Sequence, residues 1–61
     1  MPVITVEGPK IQDVERKRQM VRKMSDAAVE AYGIKEIVVL IHENEPHNVG
    51  VNGQLVADRR K

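Results

Sequence analysis

The run Ile37-Val38-Val39-Leu40-Ile41 limits this chain more than any other stretch. Consecutive apolar residues without alternation read as a short strand buried on both faces, here bounded by Glu36 and His42. The sequence has 61 residues, one domain spanning 1–61, and a single long amphipathic segment, which can cover only one face of such a strand. So short a chain buries a small share of its surface and needs a staple. There is no cysteine, and His42 and His47 are the only histidines, so neither a disulfide nor a structural metal is expected. The staple that remains is association with further copies of the chain.

The remaining segments supply partners for that strand. Val3-Ile4-Thr5-Val6 is a β-branched run closed by Glu7-Gly8-Pro9, and it reads as a first strand. Between Asp13 and Tyr32 the apolar residues Val14, Met20, Val21, Met24, Ala27, Ala28, Ala31 and Tyr32 fall on one helical arc, with Gln12 or Asp13 as N-cap and Gly33 at the C′ position. Two strands joined by one crossover helix should pair in parallel, with a right-handed connection. The expected fold is therefore an α/β subunit of the βαβ type, ending in a hairpin. That hairpin is signalled by Asn52-Gly53 between Val49-Gly50-Val51 and Gln54-Leu55-Val56, since a type I′ turn needs positive φ at both central residues. It should lie against a neighbouring subunit, followed by a mobile charged end, Asp58-Arg59-Arg60-Lys61.

Charge and hydropathy exclude several roles. Lys plus Arg is 10 against Asp plus Glu 9, a net charge of +1. Arg16-Lys17-Arg18 and Arg22-Lys23 form a basic patch, yet Asp13, Glu15, Asp26 and Glu30 share that helix and Tyr32 is the only aromatic residue, so nucleic acid is not the expected partner. No apolar run is long enough to span a membrane, and the N-terminus lacks a signal-peptide pattern. A cytoplasmic protein is expected.

No nucleotide-binding loop, metal-binding helix or nucleophile elbow is present, and no cofactor is implied. Few candidate catalysts remain. If Met1 is removed, Pro2 carries a secondary amine, whose class has a reference pKa near ~8, and a buried, cation-flanked amine of this kind is a general base at neutral pH. The other reading is that Pro2 only begins a strand, where its missing N–H is tolerated. Lys10 follows the turn after strand one, close to the helix N-terminus, and is either a carboxylate-binding cation or a solvated loop lysine. Lys17 falls inside the apolar arc, where it either snorkels at a subunit boundary or bonds a partner. His42 and His47 read as surface residues.

In their order and over nearly the whole chain, these pieces resemble the 4-oxalocrotonate tautomerases. The residues that carry the resemblance are Met1-Pro2 before an apolar strand, Glu7-Gly8 at its end, Lys17 and Met24-Ser25-Asp26-Ala27 on the helix, a second strand ending near Glu43, and Val49-Gly50-Val51-Asn52-Gly53. The resemblance implies a βαβ subunit with a C-terminal hairpin, assembled as dimers and then a hexamer, a trimer of dimers. It also implies cofactor-free tautomerisation of small enol or dienol keto acids, with Pro2 as the base. Lys10 stands where the family places an arginine for the substrate carboxylate, Val38 where it places a second arginine, and Val49 where it places a phenylalanine. Without that second arginine the enolate oxygen loses an electrostatic stabiliser, so a dicarboxylated dienol is not expected to be processed efficiently. Lys10, or Arg59 and Arg60 of a neighbour, are the substitute cations. The alternative reading is a non-catalytic oligomer of the same fold that binds a protein or nucleic-acid partner through its basic helix faces.

Overall fold

The computed structural model describes residues 1–59. Its elements are β1 (Val3–Gly8), α1 (Val14–Tyr32), β2 (Val38–Glu43), a 3-10 turn (Pro46–Asn48), β3 (Gly50–Val51), β4 (Gln54–Leu55) and a one-turn helix α2 (Val56–Arg59). β1 and β2 pair in parallel with Val3 opposite Val38 and Gly8 opposite Glu43, and β3 and β4 form the antiparallel hairpin. This is the expected βαβ unit with a C-terminal hairpin.

Both strands run further than the apolar residues suggest. β1 continues through Glu7 and Gly8, and β2 begins at Val38 and takes in His42 and Glu43, because the parallel ladder pairs those positions too. Polar side chains can continue a strand where they alternate onto an open face. His42, opposite Glu7, is such a position.

The caps of α1 are as expected. The Asp13 side chain accepts a hydrogen bond from the Glu15 N–H at 2.9 Å, and Gly33 adopts φ 71° and closes the last turn by donating to the Val29 carbonyl at 2.8 Å. A residue with a Cβ is strained at that φ, which is why glycine ends the helix there. The covered stripe is rotated relative to the apolar arc. Lys17, Met20, Val21, Met24, Ser25, Ala28 and Val29 are shielded, whereas Val14, Ala27, Ala31 and Tyr32 remain exposed.

Helix α1 packs across one face of the sheet, onto the side where Ile4, Val6, Val39 and Ile41 are half-buried. The other face presents Val3, 56% exposed, and Leu40, 47% exposed. Within one chain β2 is therefore covered on one face only, and Ala28 is the only buried core residue among those described. The hairpin turns through Asn52 at φ 56° and Gly53 at φ 81°, the pair of positive values that a type I′ turn demands. It packs against the 3-10 turn and α2 of its own chain. Asp58 and Arg59 belong to α2; Arg60 and Lys61, the rest of the charged terminus, lie outside the described residues.

Candidate active site

Pro2 immediately precedes β1 and is half-buried behind an exposed Met1. Its carbonyl accepts a hydrogen bond from the Val38 N–H at 3.0 Å, which extends the parallel ladder by one position. Proline suits that place because the ladder asks it for an acceptor and no donor. The backbone thus sets Pro2 beside Val38 at one end of the sheet. Val38 offers an aliphatic, half-buried wall there and no charge.

Lys10 and Val49 stand elsewhere. β1 has six residues, so Pro2 and Lys10 are separated by a strand of about 20 Å at the usual rise. Val49 lines a mostly apolar cavity of about 370 Å³ with Glu7, Gly8, Pro9, Asn44 and Pro46, at the Gly8 end of the sheet. The four candidates therefore form two groups within one chain: Pro2 with Val38, and Val49 beside the loop that carries Lys10. Single-chain geometry does not unite them.

The loop carrying Lys10 is firmly tethered to β2. The Gly8 carbonyl accepts from the Asn44 N–H at 2.8 Å, and the Glu43 carboxylate accepts from the Ile11 N–H at 3.1 Å. The same carboxylate oxygen is 2.6 Å from the Lys17 ammonium, with the two side chains 29% and 26% exposed. First the Lys17 hydrogen bond, then the Ile11 amide, hold the Glu43 carboxyl below its ordinary value. Two amides near the helix N-terminus, those of Ile11 and Glu15, are thus engaged by Glu43 and Asp13.

The remaining candidates contribute less. His42 and His47 are both exposed, and no group of three metal-ligating side chains occurs among the described residues. Nor is any described helix long and apolar enough to cross a membrane. In the basic patch, Arg18 is paired with Glu15 at 2.9 Å on the solvated face. Arg59 is exposed at the end of α2; Arg60, the other substitute cation, falls outside the described residues.

Residues 2–59 match the Tautomerase family, described as tautomerase enzyme. The chain belongs to the tautomerase family. Solved structures agree with that membership. DmpI from Archaeoglobus fulgidus is 47% identical, with a TM-score of 0.82 over 93% of this chain and all of that one. A 4-oxalocrotonate tautomerase homologue superposes with a TM-score of 0.88 at 25% identity, both chains being covered completely. A heterohexamer 4-oxalocrotonate tautomerase from Chloroflexus aurantiacus J-10-fl is 26% identical, with a TM-score of 0.83 over 98% of this chain and all of that one. No curated protein matches.

Sequence reasoning did not join two residues of this chain, Glu43 and Lys17. The parity of β2 would have joined them. Val39, Ile41 and Glu43 alternate onto the face that α1 covers, and Lys17 lies in the shielded stripe of the helix above it. A carboxylate and an ammonium aimed at the same narrow layer should pair. Of the two readings of Lys17, bonding a partner is the one seen: it pairs with Glu43 of its own chain.

Proposed function

We propose that this chain is a cofactor-free tautomerase acting on small enol or dienol keto acids, with Pro2 as its base once Met1 has been removed. The observation that carries the reading is the placement of Pro2: first in the ladder, half-buried, tied to Val38 by its carbonyl, and preceded by an exposed Met1. Release of Met1 turns an amide nitrogen without an available lone pair into a secondary amine. That amine takes the enol hydroxyl proton and returns a proton to carbon, so the keto acid forms with no net change in protonation.

The site is completed by neighbouring copies. Pro2 and Lys10 lie too far apart along β1 to hold one small substrate, so the carboxylate-binding Lys10 and the apolar wall at Val49 come from another copy than Pro2. A homo-oligomer built over the open sheet face, a hexamer on the pattern of the family resemblance, supplies them. Lysine gives a point charge where an arginine would give a bidentate fork, and Val38 gives no charge at all, so monocarboxylated enols suit the site better than dicarboxylated dienols.

Intact mass determines whether Met1 is absent, and ketonisation of phenylenolpyruvate measures the activity. The wild type should exceed a Pro2→Ala variant by at least about a hundredfold, the scale of general acid-base catalysis. Equal rates would remove Pro2 as the base. Salt-sensitive binding of nucleic acid or an acidic protein, persisting in the inactive variant, would support the non-catalytic alternative instead.

A further inference from the structure

We propose that Lys17 is a positioning residue for ligand binding: by pairing with Glu43 it keeps the Lys10 ammonium available for a substrate carboxylate. The inference rests on the reading of Lys10 as the carboxylate-binding cation.

The geometry sets up a competition for Lys10. Glu43 Oε2 accepts from the Ile11 N–H at 3.1 Å, and a residue's Cα lies about 2.4 Å from the following nitrogen, so the Lys10 Cα is within about 5.5 Å of that carboxylate oxygen. A lysine stem easily spans such a gap. Left alone, Glu43 would draw the Lys10 ammonium into an intrachain ion pair, and a ligand carboxylate would have to displace it.

Lys17 prevents this from the helix side. Its ammonium sits 2.6 Å from the same oxygen, in a pair far less exposed than Arg18–Glu15, whose side chains are 68% and 64% exposed. Within the trio of Lys10, Lys17 and Glu43, two lysines and one carboxylate leave one net positive charge. Lys10 forms no ion pair among the described residues. The influences on the Glu43 carboxyl follow the same order: Lys17 is the strongest, and the more distant Lys10 is the weakest. Lys17 touches no substrate in this scheme; it acts through Glu43 on Lys10.

The test is an NMR titration at pH 7, at fixed protein and salt concentrations, with 3-phenylpropanoate, a carboxylate that cannot tautomerise. Lys10→Gln and Lys17→Gln should each weaken binding roughly three- to tenfold, the range for one charge near a wet surface. The double variant Lys17→Gln/Glu43→Gln should recover wild-type affinity, because glutamine still accepts from the Ile11 amide but no longer captures Lys10. A merely structural role for Lys17 would give no such recovery. Wild-type affinity in Lys17→Gln or Lys10→Gln, or no recovery in the double variant, overturns the inference. Should Lys17→Gln fail to fold, Lys17→Arg must bind like the wild type and Glu43→Gln at least as tightly; weaker binding by either overturns it. The tautomerase reading is judged separately, by the Pro2→Ala rate, which requires none of these variants.

Discussion

At Glu43 three parts of the chain meet: the end of β2, the loop after β1 through the Ile11 amide, and α1 through Lys17. Its pKa is lowered in the folded protein from an ordinary 4.5, so the native state favours the carboxylate. The resulting stabilisation is present above the unfolded value and is lost as pH falls through the lower folded value. Chemical denaturation of wild type and Glu43→Gln should therefore give a wild-type advantage that is full above the ordinary value of 4.5 and closes as the solution is acidified below it. A difference between the two proteins that does not change with pH would show that the charge of Glu43 contributes nothing. Pro2 illustrates another residue-scale constraint. The ladder uses its carbonyl and makes no demand on its nitrogen, so the structural role of Pro2 and a catalytic one do not compete for the same atom.

At the scale of elements, α1 depends on its two ends. Few of its side chains are well shielded, so local terms weigh more than in a helix sunk into a core. Asp13→Ala should cost about 1 kcal/mol by removing the cap on the Glu15 amide. Gly33→Ala should cost about 1–2 kcal/mol, because alanine must enter the left-handed region at φ 71°. Both are read from denaturant midpoints at one fixed protein concentration, since the apparent stability of an oligomer depends on concentration. The caps and the hairpin turn were legible in the sequence because each rests on a residue type with a local conformational preference. The ends of β1 and β2 were less so, since pairing across the sheet, and not local preference, extends a strand through Glu7 or His42.

The whole molecule is flat and extended. Its radius of gyration is 14.9 Å, with extents of 44 × 24 × 12 Å, whereas a compact chain of this length has a radius near ~10.5 Å. One helix on one two-stranded sheet makes two layers, and nothing among the described residues supplies a third. Val3 and Leu40 stay open on the far face, as do Val14 and Tyr32 on the helix. We expect sedimentation to show assembly at micromolar concentration, and Leu40→Lys to shift it towards smaller species, because a lysine on the sheet's open face would be buried without a partner. A folded, fully active monomer would contradict both the assembly and a site shared between copies.

The sequence by itself determined the order of elements, the parallel pairing, the helix caps, the type I′ turn and the need for cover on the sheet's second face, all of which follow from local preference or from an apolar pattern that one helix cannot cover. Only the tertiary structure decided that Pro2 lies against Val38, that Lys10 and Val49 belong to the opposite end of the sheet, and that Lys17 pairs with Glu43. Those relations depend on strand register and on the direction of side chains across two layers, and residues distant in the sequence acquire such neighbours only when the ladder places Val3 beside Val38.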